Sequence, residues 1–382
     1  MTLHENIDRI LPAISARAAE TEAARRLPAD LAASMAEAGL FRMMVPQAVG
    51  GLECSAAESL RVMERVAKAD AAAGWCVMIS ATSAFKSGFV PEEVARQVYG
   101  QPGGIFGGVF APMGRAVPEG DGYRLTGRWS WCSGSANCTW FSGGAVIMDD
   151  GKPRLLPNGA PDSRMMIFPM DSAELIDTWM AAGLAGTGSG DVAVKDIFVP
   201  ATHAVSLMHD GAVAQGPLYR FPTFGLLALG IAAVALGNAA AAIDDLVDLA
   251  GAKKPAGGRR TLAERGMAQA ELAQASAKLR SARAFAFEAV DRAWVRAEAG
   301  GELDTEMRAD LRLAATHATR TAADVTRAMY DLGGGNSLFL TSPLQRRFRD
   351  AHAMTQHMMV APSTWELTGR VAMGLPTDAT FL

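Results

Sequence analysis

The chain has 382 residues, of which 49% are apolar and 20% are charged, a composition typical of well-packed globular proteins with more than one domain. Its net charge of −4 provides no basic surplus for holding a phosphate backbone, which excludes nucleic acid as a partner. The four cysteines have no CxxC spacing and no basic-then-apolar leader opens the sequence, so we expect a cytoplasmic protein without a disulfide framework or a zinc knuckle.

Residues 1–103 are predicted to form an N-terminal α domain. The stretch LHENIDRILPAISA repeats apolar residues at three- and four-residue spacing, which gives a helix with one apolar face. A further helix is predicted to open at Pro28 and to stop at Gly39. Another is predicted between Pro91 and Gly100, because proline favours helix starts and glycine favours helix ends.

Residues 104–215 are predicted to form a middle β domain, either a barrel or a sandwich. The stretches GDGYRLTGRWSWCSG and GDVAVKDIFVP are rich in aromatic and β-branched residues and are bounded by Gly, Asp and Pro, as strands are. Gly186, Gly188 and Gly190 alternate, but the pattern leads into a strand. A dinucleotide-binding fingerprint would lead into a helix, so this segment is not one.

Residues 216–382 are predicted to form a four-helix bundle, whose last long helix spans residues 343–373. The segment FGLLALGIAAVALGNAAAAI has twenty residues without a charge, which is long enough to cross a membrane. Asn238 and the acidic residues that follow favour the other interpretation, a helix at the centre of the bundle.

Two histidines, His352 and His357, lie in the predicted last helix. Five residues correspond to about 140° of rotation around a helix, so their side chains do not share a face. A metal-binding histidine pair on a helix is spaced by four residues. The sequence therefore predicts no metal site here.

Four motifs follow one another along the chain: GYRLTGRWSWCSG, GTGSGDVAVKDIFVP, LALGIAAVALGNAAAAI and LGGGNSLFLTSPLQRRFRDAH. Their order resembles the acyl-CoA dehydrogenase superfamily, and within it the two-component (group D) flavin-dependent monooxygenases. The resemblance covers essentially the whole chain. It implies an α+β multidomain fold with an N-terminal helical domain, a central β-barrel or β-sandwich domain and a C-terminal four-helix bundle. It also implies a homotetramer built as a dimer of dimers.

The resemblance places flavin-contacting residues in the β domain. Trp131 presents a flat aromatic face and Ser133 a hydroxyl where the superfamily's Trp and Thr meet the isoalloxazine ring. On residue type alone, Trp131 could equally be a core aromatic of a strand and Ser133 a turn residue. Four further residues match family positions beside the flavin: Phe110, Ala111, Thr187 and Ser189.

Residues of the C-terminal helices match positions near the subunit contact. Gly334 and Gly335 resemble the family loop that touches the adenine-side part of a neighbouring subunit's flavin. Arg265 and Gln269 match the family's Arg and Gln near the dimer contact. From the residues alone, the two glycines could simply stop a helix and Arg265 could be an exposed surface charge.

His357 is the principal catalytic candidate. The family's dehydrogenases carry a glutamate base eight or nine residues after the Arg349–Asp350 pair, and His357 and Met358 occupy those positions here. Removing the α-proton of a thioester requires a positioned base. The monooxygenase branch instead carries a histidine here, beside the oxygen-reacting edge of the flavin. An imidazole can hydrogen-bond an oxygen there, or take the proton of a phenol or a ring N–H near neutral pH.

Ser83 is the second catalytic candidate. Many monooxygenases of this branch carry a second histidine on the helix before the PEE turn, but this chain reads ISATSAFKSGF there, with Ser83 or Thr82 in its place. A hydroxyl can donate a hydrogen bond but cannot act as a base at neutral pH. Either the substrate needs one base only, or the chemistry differs from that of the branch.

The function implied by the resemblance is that of the oxygenase component of a two-component monooxygenase. Such an enzyme accepts reduced FMN or FAD from a separate reductase and uses O₂ to hydroxylate a small apolar, aromatic substrate. Two alternatives stay open, an acyl-CoA dehydrogenase with a displaced base and a helical scaffold without activity. Four residues could line an apolar pocket or pack in the core: Phe221, Phe224, Met358 and Trp365.

Overall fold

The computed structural model describes residues 2–254 and 259–382 and opens with helices. The helices before the sheet are α1 (Leu3–Ala16), α2 (Ala18–Ala24), α3 (Ala29–Glu37), α4 (Ala56–Ala69), α5 (Ala71–Ala84) and α6 (Glu92–Tyr99). Helix α1 begins with a capping box, in which the Glu5 N–H donates to the Thr2 hydroxyl and the Thr2 N–H donates to the Glu5 carboxylate. Pro28 precedes α3 and Pro91 precedes α6, which confirms both predicted starts.

The middle of the chain forms one mixed sheet. Its strands are β1 (Phe106–Glu119), β2 (Gly122–Trp129), β3 (Trp140–Asp149), β4 (Lys152–Pro153), β5 (Ser163–Pro169), β6 (Glu174–Ile176), β7 (Asp191–Pro200) and β8 (Ala204–Val205). They pair in the order β6-β7-β2-β1-β3-β5-β8, with β4 on β3. Strands β1 and β3 run parallel, and the other paired strands run antiparallel.

The centre of the sheet is organised around Trp129. Its indole N–H donates to the Gly144 carbonyl at 2.8 Å, and its ring packs 5.8 Å from that of Phe168. A Cβ on Gly143 would lie 2.3 Å from Trp129 Cε2, so a side chain at that position would displace the indole. This packing fixes the end of β2 and therefore the start of the turn that follows it.

The C-terminal helices surround one long apolar helix. They are α7 (Thr223–Ala252), α8 (Gly266–Glu298), α9 (Thr305–Gly333), α10 (Pro343–Met354) and α11 (Ser363–Ala372). Helix α7 packs against α4, α9 and α10, and a Cβ on Gly237 would lie 2.1 Å from the Glu64 carbonyl of α4. Helix α7 is long and apolar enough to cross a membrane, but 83% of its most apolar 18-residue stretch is buried within the protein. This burial favours the predicted central helix.

The predicted long helix over residues 343–373 is wrong, because the structure breaks it between α10 and α11. His357 has an extended backbone (φ −69°, ψ 132°) and begins a short 3-10 turn, Met358–Val360. Pro362 disfavours a helical backbone at the residue before it, and Ala361 is accordingly extended (φ −68°, ψ 160°), which separates this turn from α11. His357 therefore lies in a helix break, and the rotation argument applied to the predicted helix does not describe it.

The chain divides into two compact units. The first contains Met1–Ser55, Cys76–Met180 and Ala185–Arg220, and includes the sheet. The second contains Ala56–Trp75, Ala181–Leu184 and Phe221–Leu382, and includes the C-terminal helices. The division into domains at residues 103 and 215 stays a prediction.

Candidate active site

The turn after β2 holds Trp131 in an unusual backbone conformation. Its φ is 62°, a left-handed value that costs a bulky residue roughly 1–3 kcal/mol, and its side chain is 70% exposed. Two backbone hydrogen bonds hold the turn: the Cys132 N–H donates to the Gly190 carbonyl at 2.9 Å, and the Gly134 N–H to the Thr187 carbonyl at 2.8 Å. Backbone strain at an exposed aromatic is a feature typical of functional sites.

Three of the predicted flavin-contacting residues have hydroxyl groups that form a continuous chain of hydrogen bonds next to this turn. The Ser133 Oγ lies 2.7 Å from the Ser189 Oγ, which lies 2.6 Å from the Thr187 Oγ1. All three side chains are buried. Each hydroxyl can donate and accept hydrogen bonds, so the cluster presents neutral polar groups without a formal charge. The structure thus brings together residues that are 56 positions apart in sequence.

Phe110 and Ala111 form a bulge on β1. Val109 pairs with Gly143 and Pro112 with Gly144, so Phe110 and Ala111 are two extra residues of β1 between consecutive residues of β3. Phe110 packs partly against the core, while Ala111 is exposed. Bulges commonly occur next to active sites, where they redirect the backbone. The structure therefore gives these two residues an irregular backbone, the part of them expected to contact a ligand.

Ser83 lies near the start of β1. It is buried on α5, and its Oγ would be 3.3 Å from a Cβ on Gly108, two residues before the bulge. Lys86 follows in a 3-10 turn, Phe85–Phe89, and is also buried. Burial lowers the pKa of the Lys86 ammonium to about 7.

His357, in the second unit, accepts a backbone hydrogen bond on one nitrogen of its ring. Its Nδ1 accepts the Met359 N–H at 3.2 Å, so in the neutral ring the proton lies on Nε2. The half-buried ring meets Trp75 at a tilt of 62°, with the ring centroids 6.0 Å apart. Burial, together with the positive charge of Arg312, lowers the pKa of His357 to about 4. At neutral pH the imidazole is uncharged, and its Nε2–H is a donor.

The remaining candidate residues of the second unit lie at helix ends and in packing contacts. Arg265 is the residue before α8, and Gly334, with φ 51°, ends α9, followed by the exposed Gly335. His352 packs on Phe348 within α10 at 4.3 Å. The suggested pocket residues divide into two kinds, a buried pair and a pair with exposed side chains: Phe221 and Phe224, and Met358 and Trp365.

Comparison with known proteins identifies the family. The family model described as "Acyl-CoA dehydrogenase, N-terminal domain" matches residues 8–89, and "Acyl-CoA dehydrogenase, C-terminal domain" matches residues 229–362. The chain belongs to the acyl-CoA dehydrogenase superfamily. This confirms the resemblance and the predicted fold class, with helices at both ends of the chain and a sheet between them.

Within the superfamily, the chain is similar to flavin-dependent monooxygenases. Indole-3-acetate monooxygenase of Pseudomonas putida is 33% identical over 94% of this chain and 90% of that protein. The oxygenase subunit HsaA, a flavin-dependent monooxygenase of Mycobacterium tuberculosis, is 30% identical over 98% of this chain and 96% of its own length. The structure of XiaF from Streptomyces sp. in complex with FADH2 and glycerol has a TM-score of 0.87 and 25% identity, covering 98% of this chain and 95% of that one. The chain is therefore a flavin-dependent oxidoreductase of this superfamily, in its monooxygenase branch.

Sequence reasoning missed Arg312 and Lys86, both buried cations of this superfamily member. Arg312 lies on α9 between buried residues, and a helical arginine is usually assigned to a solvated face. The available signal was its apolar neighbours at helical spacing, Ala309 and Ala315, which place the position on the buried face. Lys86 lies in the segment ISATSAFKSGF, of which only the hydroxyl residues Thr82 and Ser83 were catalytic candidates.

Proposed function

We propose that this protein is the oxygenase component of a two-component flavin-dependent monooxygenase that hydroxylates a small, apolar, aromatic substrate. It would accept reduced FMN or FAD from a separate reductase and use O₂, in the cytoplasm. The observation that carries the proposal is the neutral His357, with Nε2–H as donor, at the position where a dehydrogenase would have a carboxylate base. The similarity to monooxygenases named for aromatic substrates supports it over the acyl-CoA dehydrogenase alternative.

The residues of the first unit fit a flavin ring. Isoalloxazine has a flat face and an edge with both donors and acceptors, and reduced flavin supplies the electrons that activate O₂. Trp131 provides an exposed aromatic face, and the hydroxyls of Ser133, Ser189 and Thr187 can match an edge of mixed polarity. We assign flavin binding to these residues together with the bulge residues Phe110 and Ala111.

His357 serves as a hydrogen-bond donor in this proposal. The lone pair of Nδ1 is engaged by the Met359 N–H, so a base role through Nε2 would require the ring to change tautomer and lose that bond. The Nε2–H can instead hydrogen-bond an oxygen atom at the reaction centre, a contribution of the kind that oxyanion donors make. Ser83, buried near β1, would add a hydroxyl donor and cannot replace a base.

The assembly proposed for this oxygenase is a homotetramer, a dimer of dimers. Arg265, Gly334 and Gly335 would contact the flavin of a neighbouring subunit. Three consecutive apolar side chains follow the glycine loop and are exposed in the single chain: Leu338, Phe339 and Leu340. Contiguous exposed apolar residues are typical of surfaces that another subunit covers.

The test is the His357→Ala variant, with His352→Ala as the matched control in the same segment. The oxygenase is supplied with reduced flavin by a reductase, with indole-3-acetate and simple phenols as oxygen acceptors, and product and H₂O₂ are measured per flavin oxidised. Loss of one donor of this kind costs about 10²–10³-fold, so His357→Ala should produce H₂O₂ at the expense of product while still binding flavin. Equal hydroxylation by wild type, His357→Ala and His352→Ala would remove His357 from the mechanism.

A further inference from the structure

Arg312 is a buried cation that has no acidic partner in the described part of the chain. It is 3% exposed on α9, and among the described residues it forms no ion pair with a carboxylate. Its Nη2 donates to the Met359 carbonyl at 2.9 Å and its Nη1 donates to the Phe381 carbonyl, while the buried Nε has no hydrogen-bond partner within the described part of the chain. Burying a guanidinium with only neutral partners costs several kcal/mol in principle.

The contacts of Arg312 lead directly to His357. Arg312 holds the carbonyl of Met359, and the N–H of the same residue donates to the Nδ1 of His357 at 3.2 Å. Met359 is itself buried, and both its N–H and its carbonyl are hydrogen-bonded to side chains. A fixed Met359 N–H keeps the imidazole in one tautomer and one orientation.

The charge of Arg312 acts on the same ring. Burial lowers the pKa of Arg312 to about 10, so the guanidinium remains positively charged at neutral pH. A nearby positive charge disfavours the imidazolium, and Arg312 is the charged group that adds to burial in lowering the pKa of His357. The ring's other close neighbour, Trp75, is uncharged. Another cation of α9, Arg320, reaches the same segment but donates to the Thr355 carbonyl at 3.4 Å.

We propose that Arg312 is the positioning residue of His357: it holds Met359 and places a permanent positive charge beside the imidazole, and both effects keep the ring neutral with its proton on Nε2. This inference rests on the proposed donor role of His357. Arg312 touches neither substrate nor cofactor in it. Its consequence is that the ring keeps its bond from the Met359 N–H, and so its orientation, over a pH range in which an ordinary histidine, with a pKa near 6.5, would gain a proton on Nδ1 and lose that bond.

The test variant is Arg312→Met, which removes the charge and keeps the length of the side chain. The matched control is Arg320→Met, which removes another cation of α9 that also hydrogen-bonds a carbonyl close to His357, that of Thr355. Product per flavin oxidised is measured from pH 5.5 to 8. Wild type and Arg320→Met should give flat profiles. In Arg312→Met the pKa of His357 should rise, although burial, the larger cause, still holds it below the ordinary value. Product per flavin should therefore fall toward pH 5.5, where a proton on Nδ1 would break the bond from the Met359 N–H that orients the ring. A flat profile in Arg312→Met overturns the inference.

A direct reading of the ring keeps the inference testable if Arg312→Met does not fold. In wild-type protein labelled with ¹⁵N-histidine, with the His357 signals assigned by their absence in His357→Gln, the ring should be the Nε2–H tautomer and should stay neutral to below pH 5. An Nδ1–H tautomer, or titration near pH 6.5, overturns it. If His357→Ala hydroxylates normally, the donor role fails. If His357→Ala uncouples the reaction but the ring titrates as an ordinary histidine, only the role of Arg312 fails.

Discussion

The two regions that carry the candidate residues are built from different chemistry. In the first unit, Ser133, Ser189 and Thr187 form a buried chain of neutral hydroxyls beside the exposed Trp131. In the second unit, His357 is a titratable ring held by Met359 and influenced by the charge of Arg312. Hydrogen bonds and an aromatic face can bind a flat ring of mixed polarity, whereas burial and a nearby positive charge together keep the imidazole neutral. In the proposed function, flavin binding and proton control are therefore assigned to two different regions of the protein.

Buried cations show the same contrast. Lys86 in the first unit can lose its proton, and burial lowers the pKa of its ammonium to about 7. Arg312 in the second unit keeps its charge at neutral pH. A lysine in the position of Arg312 could discharge and would then cease to keep the imidazole neutral.

The largest expected effect distinguishes a donor from a base in the second unit. Glutamine at position 357 can donate an N–H but cannot accept a proton at neutral pH. We expect His357→Gln to retain product formation within roughly tenfold of wild type, while His357→Ala loses about 10²–10³-fold. The measurement is product per flavin oxidised. Equal losses in the two variants would mean that His357 acts as a base, and the proposed donor role would be wrong.

The next effect concerns flavin binding in the first unit. Ser133→Ala combined with Trp131→Ala should weaken the binding of reduced flavin at least tenfold, about 1.4 kcal/mol, and leave the fold intact. The control is Ser142→Ala, which removes another buried hydroxyl of the same unit, one that donates to the Gly107 carbonyl at 3.3 Å. Anaerobic titration with reduced FMN and reduced FAD gives the affinities. Unchanged affinity in the double variant would return both residues to a packing role.

A smaller effect tests Lys86 through the pH dependence of stability. Below pH 7 the ammonium is charged in both folded and unfolded chains, so the folded state bears the full cost of burying it. Between about pH 7 and 10 the unfolded chain binds the extra proton, so the wild-type free energy of unfolding should rise with pH by about 1.4 kcal/mol per unit. Lys86→Met should lack this rise and should exceed wild type in stability most clearly at pH 6.

Denaturant unfolding of wild type and Lys86→Met at pH 6, 8 and 10 measures the difference. A constant difference across this range would show that Lys86 does not titrate on folding. A loss of hydroxylation in a well-folded Lys86→Met protein would show that a residue of the first unit also takes part in proton transfer. The assignment of proton control to the second unit alone would then be wrong.

Helix ends and strands could be predicted from the sequence because they depend on the conformational preferences of neighbouring residues. Pro91 and Gly100 bound α6, since one favours a helix start and the other an end, and the strands followed from aromatic and β-branched runs. The break at His357 had one signal in the sequence, Pro362, because a proline inside a helical pattern indicates a break. The other cause, an imidazole that caps its own following turn, could not be predicted from the sequence.

Long-range contacts explain the other differences between prediction and structure. The hydroxyl chain exists because the turn after β2 is tied to residues 187 and 190 through backbone hydrogen bonds, which no spacing in the sequence reveals. Arg312 was missed because its target is a main-chain carbonyl 47 residues away, and any residue type supplies a carbonyl. The family resemblance supplied candidate residues, and the structure supplied the Met359 N–H that donates to the Nδ1 of His357.

The most direct test of the central claim is the reaction of the bound reduced flavin with O₂. The protein is loaded anaerobically with reduced FMN or FAD and mixed with O₂, and H₂O₂ release is followed against that of the free reduced flavin. We predict release at least tenfold slower from the wild-type protein and from His352→Ala, and near the free rate from His357→Ala. Release from wild type at the free rate, or anaerobic bleaching of the oxidised flavin by octanoyl-CoA without a reductase, would contradict the assignment as a monooxygenase.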